Sequence, residues 1–134
     1  MDFLKDKIRV TLENLNRHLR LWEQEIDGFS YMETPYKTDN VLPCADDPRF
    51  TVFEGKEWRL GGDRHAWFYK HVVLPEEVVG QQTRMEIFTG TRGWNVRNPQ
   101  FIAYVDGKMV QGLDVNHTTF LLGNKREYDL YLYA

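Results

Sequence analysis

Apolar residues recur near the start of the chain at Ile8, Leu12, Leu15, Leu19, Trp22 and Ile26, at alternating spacings of four and three. That period places them on one stripe of an α-helix, with Lys7, Glu13, Arg17, Arg20, Glu23 and Glu25 on the opposite face. Asp2 stands where an N-cap would sit and Gly28 where a helix would stop, so an amphipathic helix is predicted over residues 1–28. The stripe follows heptad a/d positions. Packing within the chain or full-length protein and a short helix–helix contact both fit it, although fewer than three heptads are present for a free-standing coiled coil.

Periodicity then disappears. Pro35, Pro43, Pro48, Asp39-Asn40 and Asp46-Asp47 punctuate residues 29–49, which read as an extended linker. Tyr31, Tyr36, Val41 and Leu42 suggest that this linker packs down on the domain. From residue 50 the pattern becomes that of β-strands. Ala66–Leu74 is rich in aromatic and β-branched residues and ends at Pro75, and Arg84–Thr89 alternates. Phe101–Val105 and Lys108–Leu113 flank Asp106-Gly107, a pair that readily supplies the positive φ angles of a tight hairpin turn. Thr118–Leu122 and Tyr128–Tyr133 complete the series. Short strands at spacings near ten residues point to an antiparallel β-sandwich over residues 50–134.

Composition narrows the function classes. The 134 residues suit one domain, and 42% hydrophobic with 14% aromatic content can fill its core. A net charge of −3 argues against a nucleic-acid partner. The single cysteine, Cys44, cannot close an internal disulfide and fits a reducing compartment. The charged N-terminus does not read as a secretion signal, and no apolar run reaches the roughly 20 residues needed to cross a bilayer. The expectation is a cytoplasmic protein without a membrane or nucleic-acid partner. The last strand runs to Ala134 with no polar tail, which reads as a cut inside a longer polypeptide or as a natural end on a strand.

An ordered set of motifs carries a resemblance. It comprises Phe53–Trp58, Asp63–Phe68, Val73-Leu74-Pro75, Gly93-Trp94, Pro99-Gln100, Tyr104–Gly107 and Val110–His117. In order and rough spacing this set, from about Phe53 to the end of the chain, is similar to the β-domain ahead of the catalytic domain in α-mannosidases of glycoside hydrolase family 38, cytosolic and vacuolar type. The resemblance implies a jelly-roll, galactose-binding-like β-sandwich preceded by a helix. It implies a non-catalytic accessory role: docking on the catalytic domain of the same polypeptide, with homo-oligomer formation as a further task. The parent enzyme would hydrolyse α-mannosidic bonds of mannose-containing glycans with retention, using zinc, an aspartate nucleophile and a His-x-Asp motif. No His-x-Asp occurs here, because His18, His65, His71 and His117 are followed two positions later by Arg20, Trp67, Val73 and Thr119. Retaining hydrolysis also needs two carboxylates about 5 to 5.5 Å apart. The expectation is therefore no catalytic residue, no metal ligand and no cofactor in this chain.

Candidate contacts remain. Asp63, His65 and His117 are of metal-ligating type, but histidines flanking strands more often bond backbone or a neighbouring aspartate. Trp94 and Asn95 lie in a glycine-rich loop, where an indole can stack on a sugar or meet a neighbouring domain. A carbohydrate-binding module with its site in the Gly90–Asn95 region is thus the alternative function. Gln111, Asp114, Asn116 and His117 set polar side chains along the segment leaving the hairpin. They read either as an interface or as local turn and cross-strand bonds.

Overall fold

The computed structural model describes residues 3–19, 22–35, 41–55, 64–88 and 100–134. Helix α1 spans Phe3–Leu19. The strands are β1 (Ser30–Thr34), β2 (Thr51–Val52), β3 (His65–Val73), β4 (Thr83–Glu86), β5 (Phe101–Val105), β6 (Lys108–Leu113), β7 (Thr119–Gly123) and β8 (Glu127–Tyr133). A six-stranded sheet runs in the order β2-β1-β3-β8-β5-β6, and β4 pairs with β7 in a second sheet. Every pairing is antiparallel. The fold is mainly β with one N-terminal helix.

Strands β3 and β8 form the middle of the large sheet because both carry apolar residues on both faces. On the inner face Phe68 lies opposite Leu132 and Val72 opposite Tyr128. These residues join Met85 of β4, Ala103 and Val105 of β5, and Phe120 and Leu122 of β7 in one core. The two sheets therefore share their apolar side. On the outer face Met32, Trp67, Tyr104, Tyr131 and Tyr133 form a second buried cluster, with Leu42 and Phe50 packed against it. Its rings meet at centroid distances of 5.0 Å (Trp67–Tyr133) and 4.8 Å (Tyr69–Tyr131), the tilted contacts that aromatic quadrupoles favour.

The hairpin forms where Asp106-Gly107 predicts it, with φ of 49° and 80° at the two turn residues. Asp106 is fixed further by two bonds with Asp129: its N–H donates to the Asp129 carbonyl (2.9 Å), and its Oδ1 accepts from the Asp129 N–H (3.0 Å). Gly123, at φ 122°, closes the β7–β8 turn, and a Cβ there would stand 3.3 Å from the Tyr128 hydroxyl.

Two sequence expectations need correction. The described helix covers Phe3–Leu19 and does not reach Gly28, because residues 22–29 have no regular structure. Ile26 leaves the predicted stripe to pack, with Phe29, against the inner core, because burial there removes more apolar area from water than an exposed turn of helix would. The 29–49 linker contains β1, a full member of the large sheet, with Ser30 opposite Tyr69 and Thr34 opposite His65. A five-residue strand covered in part on both faces shows no clean alternation, so its signal was hidden. Within that linker, Leu42 packs down as expected and Val41 is exposed, while Tyr36 lies outside the described residues.

Candidate functional site

Four of the six sequence-predicted contact residues are described, and the structure gives most of them local work. Asp114 Oδ1 accepts from the N–H of Asn116 (2.8 Å), the N–H of His117 (2.7 Å) and Nδ1 of His117 (3.0 Å). The Asp114 N–H also donates to the His117 carbonyl at 3.1 Å. This is an Asx-type turn, and its backbone donors hold the Asp114 carboxyl below its ordinary range. Gln111 donates from Nε2 to the Gly112 carbonyl at 3.0 Å. Trp94 and Asn95, like Trp58 and Asp63, lie outside the described residues. His65 stacks on Tyr133 with centroids 5.5 Å apart, and His117 is engaged in the Asp114 turn. Among the described residues no three His, Cys, Asp or Glu side chains converge in a way that could hold a metal ion.

A different polar constellation emerges at the far end of β3 and β8. His71 and Asp129 stand opposite each other in register. The Tyr69 hydroxyl and His71 Nδ1 both donate to Asp129 Oδ1, each at 2.9 Å. The Asp129 carboxyl is lowered, first by the His71 bond and then by Tyr69. The His71 imidazole is raised by the same bond, with Asp129, Glu127 and Asp106 adding charge attraction against desolvation. Burial, followed by the Asp129 bond, pushes the Tyr69 phenol up to about 12. With Nδ1–H committed to Asp129, Nε2 of His71 points elsewhere, 3.7 Å from Glu127 Oε2. Lys125 Nζ bonds Asp106 Oδ2, which ties this row to the hairpin turn.

Beside this row lies an open groove of about 130 Å³. The pairing of β1 with β3 stops at Tyr69, and residues 22–27 run along β3 beyond that point. Trp22, Gln24, Glu25, Asp27, Lys70 and His71 line the groove, with Trp22 about one-third exposed (36%). Lys70 Nζ donates to the Gly28 carbonyl at 3.3 Å and braces the segment. Chemically the groove offers an aromatic wall, carboxylate acceptors and cationic donors. Such a set suits a ligand whose groups both donate and accept hydrogen bonds.

Sequence reasoning missed Tyr69, His71, Asp129 and Trp22 as site residues. A signal for two of them existed: His71 and Asp129 are polar positions inside otherwise apolar strands, Ala66–Leu74 and Tyr128–Tyr133. Trp22 was hidden because its spacing matched the helical stripe. Among the described residues no helix is long and apolar enough to cross a membrane. Set against protein-family models, curated proteins and solved structures, the chain matches none of them.

Proposed function

We propose that this chain is a non-catalytic accessory domain of an α-mannosidase of glycoside hydrolase family 38, folded as a jelly-roll sandwich and working in the cytoplasm. The observation that carries this reading is the ordered motif series, whose described members fall at joints of the fold. His65–Phe68 begins β3, Val73-Leu74-Pro75 ends it, Tyr104–Gly107 enters the hairpin turn, and Val110–His117 runs from β6 into the Asp114 turn. The jelly-roll reading is supported by two antiparallel sheets that share one apolar core. In the parent enzyme, the resemblance assigns zinc and the catalytic carboxylates to another domain, on which this one docks. The test mixes the purified chain with a family catalytic domain lacking its own N-terminal domain, in zinc. The chain alone should release no mannose from an aryl α-mannoside, and the mixture should co-elute in size exclusion with raised activity. Separate elution with unchanged activity, or mannose release by the chain alone, would overturn the reading.

A second reading is favoured by one observation, the partly exposed Trp22 in a groove with Glu25, Asp27, Lys70 and His71. Here the chain is a carbohydrate-binding module, with the pyranose face stacked on Trp22 and hydroxyls bonded to the charged rim. Calorimetric titration with mannose, galactose and short α-mannosides should then give saturable heat that Trp22→Ala removes. No heat at millimolar sugar sinks this reading.

A further inference from the structure

The hydrogen-bond ladder of the large sheet is interrupted beside the Trp22 groove. Along β3 the backbone groups of alternate residues turn to opposite neighbours. Ala66 exchanges two bonds with Ala134, and the Leu74 N–H donates to the Arg126 carbonyl, so the even-numbered residues of β3 face β8. The odd-numbered residues face the other way. There Trp67 and Tyr69 lie opposite Met32 and Ser30 of β1, and the same register would set His71 against Gly28 and Val73 against Ile26. Neither pairing forms. Gly28 turns the chain with φ 65°, its carbonyl accepts from Lys70 Nζ at 3.3 Å, and Ile26 packs into the inner core. The N–H and C=O of His71 and of Val73 therefore meet no backbone partner among the described residues, and both residues line the groove.

The groove is also short of positive charge. Glu25 and Asp27 line it without a hydrogen bond or ion pair to any described residue. Its two cations are already engaged, Lys70 on the Gly28 carbonyl and His71 between Asp129 (2.9 Å) and Glu127 (3.7 Å). Four carboxylates (Glu25, Asp27, Glu127 and Asp129) against Lys70 and a protonated His71 leave a local charge of −2, and a neutral His71 leaves −3. Trp22 adds the electron-rich face of an indole, partly exposed.

We propose that this groove binds an organic cation, an ammonium or guanidinium group whose N–H donors reach the Glu25 and Asp27 carboxylates and the open carbonyls of β3 while its apolar flank lies on Trp22. Such a group carries donors and no acceptor, it is attracted to an aromatic face, and its bonds to carboxylates are charge-assisted. An anion meets the wrong sign of charge. A neutral ligand displaces water from two carboxylates without neutralising them. The inference goes beyond the accessory-domain reading and does not depend on it. It also differs from the carbohydrate reading in what is recognised, a charge and not a ring of hydroxyls. Two sources share this chemistry, an amine on a small molecule such as an amino sugar, and an arginine or lysine side chain of a polypeptide.

The experiment titrates the full 134-residue chain, isotope-labelled for NMR, with acetyl-arginine amide and with glucosamine at low ionic strength. Acetyl-citrulline amide and mannose are the uncharged counterparts. At least one cation should give saturable shifts of the Trp22 indole N–H and of the His71 and Val73 amides. Its uncharged counterpart should bind at least tenfold more weakly, and high salt should weaken the cation severalfold by screening. Glu25→Gln with Asp27→Asn should raise Kd at least tenfold, and Trp22→Leu roughly tenfold. Unchanged amide shifts of β5 and β8 check that these variants stay folded. Saturation by acetyl-arginine amide alone assigns the cation to a polypeptide side chain, by glucosamine alone to a small molecule, and by both to the charged group itself. No saturation by either cation at millimolar concentration, equal affinity for the uncharged counterparts, or an affinity unchanged by the double variant would each overturn the proposal.

Discussion

Truncation of Leu130 to alanine tests the placement of β8 at the heart of the large sheet. Leu130 is 0% exposed, on the inner face, with Lys70 of β3 on one side in register and Val105 of β5 on the other. The change removes three carbons, worth roughly 2.4 kcal/mol at about 0.8 kcal/mol each. Neighbours on both sides are tied by strand pairing and relax little, so a void on the order of 50 Å³ adds about 1.2 kcal/mol. The expected loss is about 3.5 kcal/mol, or a fall in Tm of roughly 14 °C at about 4 °C per kcal/mol for a domain of this size. Urea unfolding followed by tryptophan fluorescence should show a lower midpoint with an unchanged m-value. Leu121→Ala is the internal control, because Leu121 of β7 is 49% exposed and its loss should cost under about 1 kcal/mol. A Leu130→Ala loss below about 1.5 kcal/mol would refute the central placement, since an edge or surface position predicts such a value.

Three further outcomes follow from the same structure. The raised His71 contributes stability that is fully present below its ordinary 6.5 and is lost as pH climbs through the raised value. The lowered Asp129 contributes stability present above its ordinary 3.8 and lost as pH falls through the depressed value. Tm should therefore plateau between those two pH values, and His71→Gln should flatten the decline on the alkaline side in thermal melts across pH. Gly123→Ala forces a side chain into φ 122° and against the Tyr128 hydroxyl at 3.3 Å, and should cost about 2 kcal/mol by urea unfolding. Deleting residues 1–19 removes no buried side chain of α1, so the Tm of the β body should move by less than about 3 °C when compared at a concentration where the chain is monomeric.

How far the sequence reveals the fold depends on how each element is covered. The hairpin was legible because Asp106-Gly107 demands a particular backbone, and the structure adopts it at both residues. β3 and β8 were legible because burial on both faces leaves runs rich in aromatic and aliphatic residues, Ala66–Leu74 and Tyr128–Tyr133, interrupted only by Lys70, His71 and Asp129. β1 failed for a related reason. Its five residues are covered by different partners on each side, Tyr31 by Phe53 and Phe68 and Met32 by the outer aromatic cluster, so neither a run nor an alternation emerges. The helix was legible in kind but not in length, because Trp22 and Ile26 keep a helical spacing while serving the groove and the core. Asp114 was legible as a turn residue, and the turn it makes uses both backbone donors that its position allows.

The candidate site arises where these elements run out. Beyond Tyr69, where β1 stops, β3 carries Lys70 and His71 before Val72 and Leu74 return to the inner core. β8 answers at the same level with Asp129, and the hairpin answers with Asp106. The polar row thus marks the border at which the outer aromatic face meets water, and Tyr69 bridges the two by a tilted ring contact with Tyr131 while donating to Asp129. A carboxylate that accepts from both a phenol and an imidazole, with its own N–H bonded to the hairpin turn, holds three strands in one geometry. His71 is thereby presented to the Trp22 groove with its ring orientation fixed. The rigidity of this rim follows from the border between core and solvent, whichever ligand or neighbouring domain the groove meets.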